Sequence, residues 1–311
     1  MAGKRPDHHG VIKHQTGESY RNETIRLLME RASLRDFADR LVPDEVLGAI
    51  LETGCHAASG GNLQPYSIIV VREEKTRAKL AKMCTQPFMA KAPVHLLFCI
   101  DWHRNARWAE LSVAPFTAQD SFRHFWISFQ DTMIFAQTIR TAADALGLGS
   151  VFIGTIMEYF AKLPKMFGLP RHVLPVVLLC IGYPDTKPEP RLKLGPEIIA
   201  HHEKYCDQDD AELMAAYKGK YPNLRVESTP SRRATLAEVC CAVEGEEFAK
   251  KCLARVREQG YINAAQYRFG LHYRADAMPE GNTEMLDAIR RMGFGWFGEA
   301  GGSDIKDQGE N

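Results

Sequence analysis

The chain has 311 residues, of which 45% are hydrophobic and 25% charged, and its 39 basic and 39 acidic residues give a formal net charge of zero. This composition is typical of a globular protein, and the length favours one large domain with an appendage. The balanced charge argues against a nucleic-acid-binding protein. No apolar run approaches the roughly 20 residues that a membrane-spanning helix needs, so we predict no membrane association.

The eight cysteines form no CxxC pair, so a zinc ribbon or an iron–sulfur cluster has no motif support. A metal could be bound by His201, His202 and Cys206, whose side chains are common metal ligands. A polar helix face is the simpler interpretation of these residues, so we predict no metal. Free thiols are typical of a reducing compartment, and the N-terminus lacks the apolar segment of a secretory signal. We therefore predict a cytoplasmic protein.

Residues 1–19 are polar and aperiodic, which predicts a flexible N-terminal arm. Helical spacing of apolar residues then predicts helices over 20–30 and from Pro43 onward. The runs SIIVV (67–71), VHLLFCI (94–100) and LPVVLLCIGYP (174–184) are nearly continuous in apolar residues, as in strands covered on both faces. Between the second and third of these runs we predict a helix over 128–146, a strand VFIG (151–154) and a helix over 157–167.

The predicted helix over 128–146 is apolar around most of its circumference, so it should be buried in a core or at a subunit interface. Residues 206–311 differ in character and are predicted to form a helical C-terminal extension, with helices over 234–244, 246–258 and 283–292. Its last residues, GEAGGSDIKDQGEN, have the composition of a disordered tail.

The segment Arg31-Ala-Ser33-Leu-Arg35 could bind an anion. Alternate residues of an extended segment point the same way, so Arg31, Ser33 and Arg35 can converge on one group. Two guanidinium groups and a hydroxyl suit a phosphate, because the arginine fork matches its oxygens. A solvated surface is the alternative for the charged residues here.

A small-residue segment, Ala58-Ser-Gly-Gly-Asn-Leu-Gln-Pro65, precedes the first predicted strand. Glycine lets a backbone approach a planar ligand closely, and Asn62 and Gln64 offer both donors and acceptors, which suits the edge of a flavin. An ordinary turn would have a similar composition. Gly147-Leu-Gly-Ser-Val-Phe-Ile-Gly154 is not a dinucleotide-binding motif, because no strand precedes it.

Five blocks in the same order resemble the nitroreductase family of FMN enzymes: RxSxR, VPxExLxxIL, SGGNLQP before a strand, ALGLGSxxIG, and IGYP followed by PR and K. The resemblance covers roughly residues 20–204. It implies an α+β three-layer fold with a central, mostly antiparallel sheet flanked by helices, in a domain-intertwined homodimer. The FMN-binding domain is then predicted to span 20–205, with a lid-like insertion at 101–126.

The resemblance also implies the cofactor-binding residues. The residues implied to contact the FMN phosphate and ribityl chain are Arg31, Ser33, Arg35, Arg191 and Lys193. The residues implied to come from the partner subunit are Ser59, Gly60, Asn62 and Gln64. Ile153 and Gly154 are implied to line the flavin face. The implied reaction moves hydride from NAD(P)H through flavin N5 to a small-molecule acceptor, a planar nitroaromatic or quinone, by a ping-pong mechanism.

The segment 101–126 is rich in Trp, His, Arg and Phe, and aromatic and guanidinium groups can contact a planar acceptor. The predicted substrate residues are Trp102, Arg104, Trp108, Arg123, His124 and Trp126. Two other functions stay open. One is reductive dehalogenation or oxygen-dependent flavin chemistry in the same fold, and the other is a non-catalytic flavin-carrying partner protein that docks through its C-terminal helices.

Overall fold

The structure, a computed structural model, describes residues 22–297. The predicted flexible arm and the predicted disordered tail lie outside these residues. The described chain forms two compact units, which we call the sheet unit (22–190 with 282–297) and the helical unit (191–281). Our predicted domain boundaries lie at 19/20 and 205/206, whereas the chain changes from one compact unit to the other after Pro190 and again after Gly281.

The sheet unit contains four strands: β1 (Tyr66–Val71), β2 (Val94–Asp101), β3 (Gly149–Ile153) and β4 (Val173–Gly182). Their order is β1-β2-β4-β3, and all three pairings are antiparallel. Every residue of β2 and β4 is buried, so both faces of the central strands are covered. This burial is why their sequences are apolar without alternation.

Six helices precede or separate these strands: α1 (Glu23–Glu30), α2 (Asp44–Cys55), α3 (Glu74–Met83), α4 (His103–Leu111), α5 (Phe122–Ala145) and α6 (Leu163–Phe167). α5 begins six residues earlier than the sequence pattern predicts. The predicted helix over 157–167 is wrong in its first part, where a 3-10 turn covers Gly154–Tyr159. Pro164 lacks the N–H that would continue a helix from upstream, so α6 begins only at Leu163.

Two hydrophobic cores cover the two faces of the sheet. Leu96 and Phe98 of β2 pack in one core with Phe135 and Ile139 of α5. The intervening Leu97 and Cys99 point to the opposite face and pack with Leu80 and Met89. The predicted three-layer α+β fold is therefore confirmed, and α5 buries its apolar face in the core of its own chain.

The helical unit contains α7 (Pro196–Ile199), α8 (Asp210–Lys220), α9 (Pro230–Glu244), α10 (Glu246–Gln259) and α11 (Ala264–Tyr267). Gly245, at a φ of 87°, separates α9 from α10. Their facing sides enclose a small core that includes Leu236, Cys240 and Val256. Two of the predicted C-terminal helices, 234–244 and 246–258, correspond to α9 and α10.

The chain returns to the sheet unit with α12 (Asn282–Arg291). Trp296 donates its indole N–H to the carbonyl of Ala118 (3.1 Å) and stacks on Phe294. The backbone N–H of His172 donates to the carbonyl of Met292 (2.8 Å). Across residues 22–297, no helix combines the length and the hydropathy that crossing a bilayer requires.

Candidate functional site

The segment Arg31–Arg35 runs in extended conformation beside β3. Ser33 pairs with Ser150 in a parallel bridge, and the N–H of Leu34 donates to the carbonyl of Ser150 (3.0 Å). Leu34 is 1% exposed and fills the space above Gly149, where an added Cβ would lie 2.5 Å from Leu34 Cδ2. Because alternate residues of an extended segment face opposite sides, the residues on either side of Leu34 point away from the core.

Arg31, Ser33 and Arg35 therefore share one side of this segment, with Ser33 and Arg35 exposed and Arg31 half-buried. Arg31 Nε lies 3.4 Å from Oδ2 of Asp144, at the end of α5. Burial raises the pKa of Asp144 to about 6, although the Arg31 charge and hydrogen bond act to lower it. The Arg35 guanidinium lies 5.9 Å from the centre of the Phe88 ring. Two guanidinium groups and a hydroxyl on one side form a donor set that fits a phosphate.

β3 leads from this segment to Ile153 and Gly154. Ile153 as a whole is 1% exposed and belongs to the core, so the described chain leaves neither its side chain nor its backbone open to a ligand, contrary to the predicted place at the flavin face. Gly154 is exposed, and an added Cβ would find no atom within 4 Å, so the space in front of it is open. Ser150 Oγ is buried without a hydrogen-bond partner. A donor set beside the strand that ends at an open glycine fits a phosphate-bearing planar cofactor such as FMN.

The loop Ser59–Gln64 joins α2 to β1 and has an unusual backbone. Gly61, Asn62 and Gln64 adopt left-handed φ values of 58°, 56° and 45°. Asparagine tolerates this conformation, but glutamine seldom adopts it. Within the loop, Ser59 Oγ accepts a hydrogen bond from the Gln64 N–H (3.2 Å). Asn62 is exposed, which leaves its amide accessible to a ligand.

Two helices hold this loop from outside. Asp131 of α5 accepts the N–H of Gly60 with both carboxylate oxygens, at 3.1 and 3.0 Å. At the other end of the loop, Asn105 Nδ2 of α4 donates to the carbonyl of Leu63 (3.1 Å). The sequence analysis missed both residues. For Asp131 the sequence does contain a signal: its carboxylate lies on the same helix face as the buried Ser128 and Phe135, where an apolar residue is expected.

Arg104 also holds the loop, although we predicted it as a substrate contact. Its Nη2 donates to the carbonyls of Gln64 (2.5 Å) and Tyr66 (3.1 Å). Its backbone N–H donates to Oδ1 of Asp101 (3.1 Å), at the end of β2. The guanidinium of Arg104 is thus engaged by loop carbonyls, while the residue itself remains exposed.

The other predicted substrate residues fall into two groups. Trp102 is 1% exposed and lies in the core, so its side chain is inaccessible to a substrate, and His124 packs against it while bonding to Ser121 Oγ (2.8 Å). Trp108, Trp126 and Arg123 are exposed. The predicted lid-like insertion, 101–126, contains α4, a short 3-10 turn and the first residues of α5, and residues 112–117 between α4 and the turn are irregular.

The remaining predicted cofactor residues, Arg191 and Lys193, are exposed and lie in irregular backbone at the start of the helical unit. Their phosphate-binding role stays a prediction.

Within one chain, α5 separates the loop from the segment Arg31–Arg35. Asp131 contacts the loop and Asp144 contacts Arg31. These two residues are 13 positions apart on one helix (144 − 131), which corresponds to about 20 Å at 1.5 Å per residue.

Comparison with known proteins agrees with this geometry. The profile of the nitroreductase family matches residues 28–183. The chain belongs to this family. It is 32% identical over 195 residues to the oxygen-insensitive NADPH nitroreductase of Salmonella typhimurium, covering 62% of this chain and 79% of that protein. It is 29% identical over 222 residues to the NADPH-flavin oxidoreductase of Vibrio harveyi, covering 69% of this chain and 90% of that protein.

A solved structure supports the same assignment. The NADPH:FMN oxidoreductase of Vibrio harveyi, complexed with NAD+, superimposes with a TM-score of 0.61 at 28% identity, covering 77% of this chain and 98% of that one. The predicted family is confirmed, and with it the class of FMN-dependent NAD(P)H oxidoreductase. The extended segment beside β3 and the loop before β1 carry residues that the family resemblance assigns to FMN, and this assignment stays a prediction.

Proposed function

We propose that this FMN-dependent NAD(P)H oxidoreductase reduces a small planar acceptor, a nitroaromatic or a quinone, by a ping-pong mechanism in a homodimer. When bound, FMN would supply the hydride-transfer chemistry between NAD(P)H and the acceptor, and the residues of this chain would hold and orient it. The observation that carries the proposal is the donor set of Arg31, Ser33 and Arg35 beside a strand that ends at the open Gly154. The names of the Salmonella and Vibrio relatives, an NADPH nitroreductase and an NADPH-flavin oxidoreductase, support a nicotinamide donor and a nitro acceptor.

In this proposal, Arg31, Ser33 and Arg35 bind the FMN phosphate. Their charges offset the phosphate charge, and Asp144 keeps the Arg31 guanidinium oriented along the segment. Arg191 and Lys193 keep the phosphate role that the resemblance gives them. The backbone at Gly154 leaves room for the flavin ring, since no atom of residues 22–297 beyond Gly154 and its chain neighbours lies within 4 Å of where a Cβ of Gly154 would be.

The loop Ser59–Gln64 is proposed to contact the flavin of the partner subunit through Ser59, Gly60, Asn62 and Gln64. The separation of about 20 Å along α5 supports this exchange, because one chain holds its own loop far from its own phosphate donor set. The exposed apolar face of α1, with Ile25, Leu28 and Met29, also supports contact with a second copy.

The acceptor is proposed to lie against the exposed aromatic residues of the segment 101–126. Trp108 is 63% exposed and Trp126 is 50% exposed, so both rings are available for stacking on a planar substrate. Arg123 is exposed on the first turn of α5, where it could meet a nitro or carbonyl oxygen.

Initial rates measured at several concentrations of NAD(P)H and of a nitroaromatic acceptor test the mechanism. A ping-pong reaction gives parallel double-reciprocal lines, whereas intersecting lines would show that both substrates bind together and would contradict the proposal.

Light scattering of the FMN-bound protein tests the assembly. We expect the mass of a dimer, and a monomer that retains FMN would contradict the exchange of loops.

A further inference from the structure

The loop Ser59–Gln64 has a backbone that needs outside support. Asn62 and Gln64 both hold left-handed φ angles without being glycine. Such conformations persist only where the surrounding structure holds them. Inside the loop, Ser59 Oγ accepts the Gln64 N–H, and contacts with other elements add to this support, among which the carboxylate of Asp131 is the contact at the start of the loop.

Asp131 is well placed for this role. It is 5% exposed, and both of its oxygens accept the same backbone N–H, that of Gly60, which is 71 residues away in sequence. The loop comes so close to α5 here that a Cβ at Gly60 would lie 2.9 Å from Ile127 Cγ2. Burial raises the pKa of Asp131, and the Gly60 N–H acts in the opposite direction.

Burying a carboxylate in α5 costs free energy, because the charged group loses its contact with water. The other buried residues of this helix are apolar or carry a hydroxyl. Thr132 and Ser128, its buried polar neighbours, donate their hydroxyls only to carbonyls of α5 itself in the contacts that the structure describes. Asp131 differs because its oxygens reach another element. Its geometry thus points to the loop rather than to the helix.

We propose that Asp131 is a positioning residue for FMN, which fixes the backbone at Gly60 and thereby holds the loop Ser59–Gln64 in the conformation that meets the flavin. This inference rests on the proposed function, because it takes the loop to be part of the flavin site. Asp131 itself contacts the loop backbone and not the cofactor.

The test compares three variants of the full-length protein: Asp131→Leu, which removes both acceptors, Asp131→Asn, which keeps one uncharged acceptor, and Thr132→Val as the matched control. FMN is titrated into each apoprotein, and its Kd is measured by quenching of flavin fluorescence. We expect roughly 10- to 100-fold weaker binding for Asp131→Leu, the loss expected for one charged hydrogen bond. Asp131→Asn should be intermediate, and Thr132→Val should bind like the wild type.

Hydrogen exchange of the peptide spanning 58–66, measured in the apoproteins, provides a readout that does not involve FMN. We expect faster exchange in Asp131→Leu and wild-type exchange in Thr132→Val. If neither exchange nor FMN Kd changes in the two Asp131 variants, the positioning role is overturned. The same holds if Thr132→Val weakens FMN binding as much as Asp131→Asn does.

One further result would contradict part of the proposed function as well. If exchange of the loop becomes faster while the FMN Kd stays at the wild-type value, then Asp131 holds the loop but the loop does not bind the flavin. That outcome overturns both the positioning role and the assignment of the loop to the flavin site. If Asp131→Leu fails to fold, the graded loss expected for Asp131→Asn decides the question alone.

Discussion

The chain holds the two parts of its proposed flavin site in different ways. The loop Ser59–Gln64 is fixed by side chains from α4 and α5 that bond to its backbone. The segment Arg31–Arg35 is fixed by its own backbone, which pairs with β3, and by the buried Leu34, whereas Arg31, Ser33 and Arg35 lie on its outer side. Substitutions near the loop should therefore change its position, whereas substitutions in the segment should remove ligand contacts directly.

α5 connects the two parts, since it carries one carboxylate for each, the buried Asp131 and the half-buried Asp144. Asp131 accepts a hydrogen bond from a neutral backbone N–H, and Asp144 lies beside the charged guanidinium of Arg31. Burial raises the pKa of both carboxyl groups. Asp131 therefore acts on the backbone conformation of the loop, whereas Asp144 acts on the orientation of the Arg31 side chain.

The largest effect is expected from the double variant Arg31→Ala/Arg35→Ala. Each arginine is proposed to make a charge-assisted phosphate contact of about 1.5–3 kcal/mol, so together they should weaken FMN binding by more than roughly 100-fold. Titration of apoprotein with FMN measures this loss. Arg26→Ala is the control, because Arg26 pairs with Glu23 and Glu30 of its own helix. Equal FMN Kd values for the double variant and the control would show that the segment does not bind the phosphate.

Asp144→Asn should change the pH dependence of stability. The folded-state pKa of about 6 lies above the ordinary value of 3.8, so the folded protein binds the proton more tightly, and its unfolding free energy falls as pH rises from about 4 to 6. Removing the charge should raise the unfolding free energy by up to about 3 kcal/mol at pH 8, and by much less at pH 4.5.

Urea unfolding of the apoprotein at both pH values measures this difference. A variant that is less stable than the wild type at pH 8 would show that the ion pair with Arg31 outweighs the cost of burying the carboxylate. Asp144 would then differ from Asp131 more than the raised pKa of both carboxyl groups indicates.

Gly60→Ala tests the close approach of the loop to α5. The added Cβ meets Ile127, so the loop must shift away from Asp131, at a cost of about 1–2 kcal/mol. We expect FMN binding to weaken roughly 5- to 30-fold. Gly48→Ala in α2 is the matched control, because a Cβ there meets no atom within 4 Å. Unchanged FMN binding in Gly60→Ala would indicate that the loop tolerates displacement.

The smallest effect is expected at the exposed end of the segment 101–126. Trp108→Ala should raise the KM for a planar acceptor by a few-fold, since one stacking contact contributes about 0.5–1 kcal/mol, and it should leave the FMN Kd unchanged. Leu111→Ala, which is 79% exposed on the same helix, is the control. An unchanged acceptor KM in Trp108→Ala would remove this residue from the proposed acceptor site.

Much of the fold follows from local sequence signals. β2 and β4 are predictable because both faces are covered and their sequences are continuously apolar. α3 was not predicted, because it buries only Leu80 and Ala81 and therefore lacks an apolar stripe. The segment 282–297 joins the sheet unit through contacts such as Trp296 with Ala118, which join residues 178 positions apart and leave no local pattern.

The candidate site shows the same limit. Alternation in an extended segment was enough to group Arg31, Ser33 and Arg35, because that geometry depends only on neighbouring residues. The sequence could not show that Arg104 is engaged by loop carbonyls or that Trp102 is buried, because both depend on how α4 packs against distant elements. Aromatic and basic composition alone does not separate packing residues from substrate contacts.

Anaerobic spectrophotometry of the FMN-loaded protein tests the central claim most directly. NADPH or NADH is added first, and the visible flavin absorbance is followed until it stops changing. A nitroaromatic or quinone is added after the oxidised nicotinamide has been removed. We predict that the absorbance is lost with the nicotinamide alone and returns with the acceptor alone. If the protein binds no FMN, or if the absorbance changes only when both substrates are present, the proposed site and its ping-pong mechanism are contradicted.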